Sequence, residues 1–286
     1  FCFGLGYTAC RLAEGLMGEG WRISGTTRDH DKGTELQLAG VDTCITHDEG
    51  LGSNLATALR GSRYVLVSVP PQDNGDLVVQ HHASDISALP GLRWVGYLSS
   101  TAVYGDHGGA WVDEATPPAP SSEIGSRRSA AEESWLALWR ERGIPVHVFR
   151  LAGIYGPGRS ALDRVRAGKA RRIVKSGHVL SRIHVDDITS VLAASMARPR
   201  PGAIYNLSDD QPASAAEVTA FAAKLLGAKP PPEISYNVSE ISPAARRFFV
   251  DHRRVRNNLI KTELGVLLRY PNYEMGLRAI AAGDIG

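Results

Sequence analysis

Apolar positions recur along the chain with two different periods. Residues 1–3 predict the end of a buried strand, and a helix-face spacing follows at Ala9, Leu12, Ala13, Leu16 and Met17. Further strand-like runs cover residues 21–27, 43–46, 64–68, 94–98, 146–150 and 203–207. Helical patterns cover residues 36–39, 55–59, 77–89, 121–142 and 215–226. Strand and helix alternate up to about residue 206, which predicts an α/β fold with a doubly wound parallel sheet.

The turn between the first strand and the first helix reads Gly4-x-Gly6-x-x-Ala9. Gly4 permits the tight turn, Gly6 lets the backbone approach a pyrophosphate, and Ala9 lets the helix lie close to the strand. The helix N-terminus adds free N–H groups and a partial positive charge. These features predict a dinucleotide site, to which we also assign Tyr7 and Thr8. A chance glycine-rich turn is the alternative, because the chain has 30 glycines.

A second part of the cofactor site is predicted where the strand of residues 64–68 ends. Ser68 is followed by Val69 and Pro70, and proline cannot continue a parallel ladder because it lacks an N–H. Open α/β sheets bind ligands at the carboxyl ends of their strands. We therefore expect Ser68, Val69 and Pro70 to line the cofactor cleft, with an ordinary strand-ending loop as the alternative.

The end of the second strand predicts NADP as cofactor, with NAD less favoured. The sequence there is Thr26-Thr27-Arg28, and the first acid is Asp29. Proteins of this fold that bind NAD place an acidic residue at this point to hold the ribose hydroxyls. Arg28 can instead form a bidentate pair with a 2′-phosphate. The alternative is that Arg28 is only a surface charge.

Composition narrows the class of protein. The 286 residues are 43% hydrophobic and 22% charged, with a net charge of +2, so nucleic acid is not an expected partner. No apolar run would cross a membrane, and no signal peptide opens the chain. Cys2, Cys10 and Cys44 form no disulfide or metal pattern, and the adjacent His81 and His82 would face different directions on a helix. We expect a cytoplasmic protein without a metal site.

Four further stretches carry a family resemblance. They are residues 98–105 (LSSTAVYG), 149–157 (FRLAGIYGP), 182–187 (RIHVDD) and 203–208 (AIYNLS). Together with the glycine turn they resemble the extended and atypical short-chain dehydrogenase/reductases of the NAD-dependent epimerase/dehydratase type. The resemblance implies a Rossmann core of residues 1–157 plus a strand near 203–208. It also implies a small C-terminal substrate lobe of residues 158–200 and 209–286.

The resemblance assigns roles to residues and fails at one place. It implies that Ser100 is the catalytic hydroxyl, that Ser99 and Leu151 contact the cofactor, and that Thr101, Arg182 and His184 contact the substrate. The family's Tyr-x-x-x-Lys dyad is missing, because Ile124 matches the tyrosine and Arg128 the lysine. Arg128 keeps a positive charge and could still bind ribose or phosphate.

The missing tyrosine leaves the proton source and the function open. Tyr104, Tyr155 or a water held by Ser100 and Thr101 could supply a proton to the substrate. One hypothesis is therefore an NADP-dependent oxidoreductase or epimerase with a small carbonyl or sugar-like substrate. The other is a catalytically silent NADP-binding sensor or regulatory protein.

The segment of residues 159–175 is rich in basic residues. They lie at positions Arg159, Arg164, Arg166, Lys169, Arg171, Arg172 and Lys175. With Arg182 as principal contact they predict an anionic substrate, with a solvated charged face as the alternative. His184 could instead be a packing residue beside Asp186 and Asp187. The resemblance also implies a homodimer paired through the helix of residues 121–142.

Overall fold

The computed structural model describes residues 1–46, 55–237 and 249–283. The chain forms two compact units, of which unit 1 comprises Phe1–Ser100, Ser126–Arg150 and Thr189–Tyr205. Unit 2 comprises Thr101–Gly125, Leu151–Ile188 and Asn206–Gly286. These bounds differ from the predicted domains, since residues 101–125 and 151–157 lie in unit 2 and residues 189–200 in unit 1. Strand pairing accounts for part of this difference, because residues 111–112 and 153–155 pair with strands of unit 2.

The strands are numbered in chain order. They are β1 (Cys2–Phe3), β2 (Ser24–Thr27), β3 (Asp42–Ile45), β4 (Tyr64–Val67), β5 (Trp94–Ser100), β6 (Trp111–Val112), β7 (Val146–Leu151), β8 (Gly153–Tyr155), β9 (Arg172–Val174), β10 (Arg182–His184), β11 (Ile204–Leu207), β12 (Glu233–Ser235) and β13 (Arg254–Val255). Seven of them form one parallel sheet in the order β11-β7-β5-β4-β1-β2-β3. The predicted α/β class with a doubly wound parallel sheet is confirmed.

The helices are likewise numbered in chain order. They are α1 (Tyr7–Gly18), α2 (His30–Leu38), α3 (Leu55–Leu59), α4 (Leu77–Ser87), α5 (Glu123–Arg142), α6 (Ala161–Arg166), α7 (Val185–Ala197), α8 (Ala215–Leu225), α9 (Asn258–Thr262) and α10 (Tyr273–Ala282). A 3₁₀ helix, Thr101–Tyr104, follows β5 directly. Within the described ranges, each helix is too short or too polar to cross a bilayer.

Several helices differ from the sequence-based expectation. The sequence predicted only residues 36–39 of α2, whereas the helix begins at His30. Asp29 caps this start by accepting the N–H of Lys32 at 3.1 Å. Only Gly33 of α2 is buried, so the sequence shows no apolar stripe. Four helices, α6, α7, α9 and α10, were not predicted from the sequence. In α7, Ile188 and Leu192 have a helical spacing and are fully buried.

The core of unit 1 lies on the sheet. Strand residues such as Val65, Val95 and Val148 are completely buried, and Trp135 of α5 packs in the same cluster. Strands buried on both faces have continuous apolar runs, which is why the sequence reveals them. At Gly25 an added Cβ would lie 2.6 Å from the carbonyl oxygen of Cys2, so β1 and β2 require a glycine there.

Unit 2 contains three two-stranded parallel sheets, β8 with β10, β9 with β12, and β6 with β13. Its largest apolar cluster joins α6, α8 and α10 through Leu162, Ala222 and Leu277. Each ladder is only two or three residues long, so most of the apolar burial in this cluster comes from helix packing.

Candidate functional site

The glycine turn after β1 is shaped by backbone geometry. Gly4 has φ +86°, and its N–H donates to Thr26 Oγ1 at 2.8 Å. A Cβ on Gly4 would lie 3.0 Å from Val69 Cγ2 and 3.1 Å from Ser68 Oγ. Ser68 Oγ in turn donates to the Gly4 carbonyl at 2.6 Å. The structure therefore brings together the predicted residues Gly4, Ser68 and Val69, and only glycine fits the first position.

The next glycine leaves space beside the start of α1. Among the described residues outside the turn itself, a Cβ on Gly6 would meet only Ser68 Oγ, at 3.9 Å. Gly6 is the N-cap of α1, with no side-chain capping bond and no acidic residue in the first turn. Tyr7 is half-buried and Thr8 is buried. The residues present fit a dinucleotide pyrophosphate, which would occupy the volume beside Gly6 and accept N–H groups of the first turn.

The end of β2 presents cations toward solvent. Thr26 and Thr27 are buried, whereas Arg28 is exposed. The Asp29 carboxylate is engaged in capping α2. Burial raises the pKa of the Cys10 thiol overall, and a hydrogen bond from Lys32 lowers it. Lys32 was not among the residues predicted from the sequence. A second cation therefore lies on α2, four positions after Arg28.

Ser99 takes part in a buried ionic network. Its Oγ donates to Glu132 Oε1 at 2.5 Å, and Arg150 binds the same carboxylate with Nη2 at 2.7 Å and Nε at 3.1 Å. These three residues are at most 3% exposed. The Ser99 hydroxyl is thus bound inside unit 1, and a cofactor contact by Ser99 stays a prediction. A charged residue such as Arg150 inside an otherwise apolar strand indicates that a buried acidic partner is present, and this was the sequence feature that could have revealed Glu132.

Arg128 binds the strand next to it. Its Nη1 donates to the Leu98 carbonyl at 2.6 Å and to Tyr97 Oη at 3.3 Å, and its guanidinium lies 5.8 Å from the centre of the Tyr97 ring. Burial raises the pKa of Tyr97. One turn of α5 later, Glu132 binds Ser99 of the same strand. Arg128, at the position of the family's lysine, and Glu132 therefore both fix α5 to β5.

In unit 2, the 3₁₀ helix after β5 packs against the start of α5. A Cβ on Gly125 would lie 2.6 Å from the Ala102 carbonyl oxygen, and the Gly125 N–H donates to Ser122 Oγ at 3.2 Å. Ile124, beside this glycine, is 45% exposed. The glycine thus allows close packing, while the isoleucine side chain remains open to solvent.

The hydroxyl residues of this loop differ in burial. Ser100 is half-buried and Thr101 is buried. Tyr104 is completely buried, and its Oη donates to Asn206 Oδ1 at 2.7 Å. The Tyr104 hydroxyl is therefore engaged within unit 2, which weakens the prediction that it delivers a proton to substrate.

Tyr155 and His184 form an aromatic cluster. Tyr155 is 7% exposed, and its Oη donates to the Asn272 carbonyl at 3.4 Å. Burial and the negative charges of Asp209 and Asp187 raise the pKa of Tyr155. The His184 ring lies 5.1 Å from the Tyr155 ring and 4.1 Å from the Tyr270 ring, centre to centre. This arrangement agrees with the alternative in which His184 is a packing residue.

Arg182 also makes its contacts inside unit 2. Its Nη1 donates to the carbonyls of Leu180 at 2.8 Å and Ala213 at 2.7 Å. Burial lowers the pKa of Arg182. Nearby Asp209 is 1% exposed, and burial raises its pKa to about 8. A substrate contact by Arg182 stays a prediction. The negative charge of Asp209, which raises the pKa of Arg182, was not recognised from the sequence.

The remaining predicted residues are placed as follows. Pro70 is exposed after β4, and Leu151 is buried at the end of β7. In the basic cluster, Arg172 pairs with Glu233 at 2.9 Å and Lys175 donates to the Phe249 carbonyl at 2.6 Å. Arg166 also lies 3.8 Å from the Asp163 carboxylate, so these three members contact the protein itself. In the described part of the chain, no group of three or more His, Cys, Asp or Glu side chains is arranged to hold a metal ion.

This chain is similar to proteins with known sequences and structures. The model of the NAD dependent epimerase/dehydratase family matches residues 82–208. A solved structure of a functionally unknown conserved protein from Silicibacter pomeroyi is 46% identical, with a TM-score of 0.89 over 100% of this chain and 98% of that one. Protein YeeZ of Escherichia coli K12 is 28% identical over 279 residues, 94% of this chain and 95% of YeeZ. The dTDP-glucose 4,6-dehydratase of Bacillus anthracis, solved in complex with NAD, is 18% identical with a TM-score of 0.78, over 98% of this chain and 94% of that one, and shares the fold.

Proposed function

We propose an NADP-dependent oxidoreductase function for this chain, which belongs to the NAD-dependent epimerase/dehydratase family as an atypical extended short-chain dehydrogenase/reductase. The observation that carries the proposal is the open volume beside Gly6 at the uncapped start of α1. Gly4 and Gly6 would let the dinucleotide approach, and the first-turn N–H groups of α1 would bind its pyrophosphate. When bound, the dinucleotide supplies hydride chemistry.

The preference for NADP rests on the end of β2. Arg28 is exposed there, while the Asp29 carboxylate is occupied by the N–H of Lys32. Lys32 adds a second positive charge on α2. A hydrogen bond to a charged group contributes about 1.5–3 kcal/mol, which corresponds to roughly ten- to 150-fold in affinity. We expect NADPH to bind more tightly than NADH by a factor in this range.

Isothermal titration of both cofactors tests the preference. The Arg28→Ala variant should weaken NADPH binding about ten-fold or more and leave NADH binding unchanged, because only NADPH carries the 2′-phosphate. Arg22→Ala, which removes another exposed arginine near β2, is the matched control. Equal affinities of the wild type for the two cofactors, or no effect of Arg28→Ala, would contradict the proposal.

The chemistry at the end of β5 would involve hydroxyl groups. Ser100 would donate a hydrogen bond to the oxygen of a small carbonyl or sugar-like substrate, as its family position implies. The burial of Tyr104 and Tyr155 favours the remaining proton source, a water molecule held by Ser100 and Thr101. Loss of turnover in Ser100→Ala, with Tyr104→Phe and Tyr155→Phe unaffected, would support water as the source.

A catalytically silent NADP-binding sensor is the second candidate. Ile124 carries no ionisable group, and Arg128 is bound to the Leu98 carbonyl. A positioned acid or base contributes about 10²–10⁴-fold to a rate, so its loss could leave a protein that only binds the cofactor. Micromolar NADPH binding without turnover of any carbonyl compound would favour the sensor.

We further infer a cytoplasmic protein that binds small molecules and pairs as a homodimer through α5. The net charge of +2 does not favour nucleic acid as a partner. Light scattering in solution would test the dimer, and a monomer at micromolar concentration would contradict it.

A further inference from the structure

One cavity of unit 2 lies along helix α8 and has a volume of about 630 Å³. Its wall consists of α8, the loop that follows α8, the first residue of β9 and the first residue of α10, all of which belong to unit 2. This volume is within the range of small-molecule sites in proteins. We propose that the cavity binds a small aromatic carboxylate, a ligand additional to the dinucleotide and the substrate proposed above.

Helix α8 presents one continuous face to the cavity. The helix residues in the wall have the spacing i, i+3, i+4 and i+7, which places them along one side of the helix. They are Glu217, Ala220, Phe221 and Lys224. The loop that follows is fixed to the helix, because the N–H of Gly227 donates to the Lys224 carbonyl at 3.1 Å. The wall is therefore formed by the fold itself, before a ligand binds.

The middle of the wall is apolar and aromatic. The rings of Phe221 and Tyr273 meet edge to face, with centres 5.6 Å apart and planes at 87°. Ala220, Ala228 and Pro230 add aliphatic surface. Aromatic rings prefer edge-to-face or offset contacts, so a ligand ring can pack beside this pair. The surface thus favours an aromatic ligand over a sugar, whose hydroxyls would lose hydrogen bonds to water there.

The two ends of this α8 face carry opposite charges. Glu217 lies in the first turn, where its carboxylate accepts the N–H of Ser214 at 2.9 Å in a capping box. Lys224 lies about 10 Å farther along the helix axis, since each residue adds about 1.5 Å. It is exposed, and within the part of the chain that the structure describes no hydrogen bond or ion pair occupies its ammonium group. The acid is thus engaged in helix capping, whereas the cation is available to an anionic ligand.

Arg172 supplies a second donor at the loop end of the cavity. Its Nη2 pairs with Glu233 at 2.9 Å, and Glu233 begins β12 only three positions after Pro230 of the wall. The Nε–H of Arg172 is buried and has no hydrogen-bond acceptor among the described residues, although buried N–H groups almost always have one. The side chain as a whole is 29% exposed, so a ligand can reach it. The two oxygens of a ligand carboxylate would provide one acceptor for Arg172 and one for Lys224.

Neighbouring charges do not favour a cation instead. Glu233 is 59% exposed, so water screens its charge. Arg278 lies 5.0 Å from the centre of the Phe221 ring and adds a further positive charge beside the aromatic wall, with the Glu274 carboxylate 3.9 Å away. Among the described residues of the wall, a ligand cation would find Glu217 as its one acidic partner, and this acid already caps α8.

The test is an NMR titration of the full chain with three compounds of similar shape. The probe is 3-phenylpropanoate, and its matched compounds are the neutral 3-phenylpropanamide and the cationic 3-phenylpropylamine. The acid should shift the backbone amide resonances of Gly227 and Ala228, which lie in the wall. It should bind at least about ten-fold more tightly than the amide, as expected for hydrogen bonds to charged groups. The amine should not bind.

Variants of the wall test the individual contacts. Lys224→Met keeps an apolar stem and removes the charge, so it should weaken binding of the acid about ten-fold and leave binding of the amide unchanged. Lys229→Met is the matched control, because Lys229 is an exposed lysine of the loop after α8 that lies outside the wall, and it should bind the acid like the wild type. Phe221→Leu should weaken binding of the acid and of the amide alike, about three-fold, through loss of the aromatic pair.

Three kinds of result would overturn the aromatic carboxylate. Absence of any resonance shift at millimolar acid would overturn the site itself. Equal binding of the acid and the amide, or unchanged binding of the acid by Lys224→Met, would overturn the carboxylate contact. Preferred binding of the amine would assign the cavity to cations. The titration contains no dinucleotide, so these outcomes leave the proposed oxidoreductase function untouched.

Discussion

The glycine turn of unit 1 and the start of α5 in unit 2 differ in how strongly packing restricts the residue type. At Gly4 a side chain would contact Val69 and Ser68, and the positive φ disfavours other residues. At residue 124 the side chain is exposed, so no packing contact demands a tyrosine. The fold itself therefore requires a glycine at position 4, whereas only selection for a reaction would maintain a tyrosine at position 124. Cofactor binding and proton transfer can be separated in this architecture.

The two units also differ in whether a buried carboxyl group has a partner. In unit 1 the Glu132 carboxylate is paired with Arg150 and accepts the Ser99 hydroxyl. In unit 2 Asp209 Oδ2 has no hydrogen-bond partner among the described residues. A paired buried charge stabilises its surroundings only while both partners remain, and an unpaired carboxyl favours its neutral form. Three substitutions test these differences.

Removal of Glu132 should have the largest effect. Glu132→Ala leaves the Arg150 guanidinium buried without its partner, which should lower the free energy of unfolding by about 3–5 kcal/mol. Glu133→Ala is the control, because this neighbour is exposed and pairs with Arg140 at the surface, a pair worth about 1 kcal/mol or less. Urea unfolding followed by circular dichroism measures both. Equal losses in the two variants would contradict the paired-charge description of unit 1.

Asp209 should make stability depend on pH. Its pKa of about 8 in the folded chain lies above the unfolded value of 3.8, so the stability that it contributes is complete below about pH 4 and is lost as the pH rises to 8. Asp209→Asn should therefore gain about 3 kcal/mol relative to the wild type from about pH 5.5 to about pH 7.5. Unfolding at both pH values measures this gain. Asp210→Asn is the control, and a gain that is the same at both pH values would show that Asp209 is ionised when folded.

Gly6→Ser separates binding from stability. Serine is at least as good an N-cap as glycine, so the melting temperature should stay the same or rise slightly. Its side chain would occupy the space beside α1 and compete for the N–H groups, so NADPH should bind about 100-fold more weakly, equivalent to roughly two weakened charge-assisted hydrogen bonds. Calorimetry and thermal melting measure the two effects. Gly15→Ala, elsewhere on α1, should leave NADPH binding unchanged, and undiminished binding to Gly6→Ser would contradict the site.

The sequence predicted the parts of the fold that depend on local pattern. The buried strands of the large sheet and the glycine turn are continuous in the chain, so periodicity and spacing reveal them. The small sheets of unit 2 were not predicted, because β6 and β13 are two residues each and lie about 140 positions apart. A pairing of that kind leaves no periodic signal in either segment.

The candidate site was predictable to a similar extent. Gly4 and Gly6 follow from a local motif, and Ser68 from its place at a strand end. The partners of Ser99 come from α5 and β7, so its hydroxyl could be assigned to the protein interior only once the fold was known. The same holds for Tyr104, whose partner Asn206 is 102 positions away. Long-range side-chain contacts decide which hydroxyls remain for a ligand.

A crystal structure of this chain with NADPH would locate the bound dinucleotide directly. We expect the pyrophosphate to lie on the first-turn N–H groups of α1 beside Gly6, and the 2′-phosphate to lie on Arg28. We also expect the Ile124 side chain to stay exposed. A dinucleotide bound away from the glycine turn, or a crystal soaked at millimolar NADPH with no ligand at the turn, would contradict the proposed cofactor site.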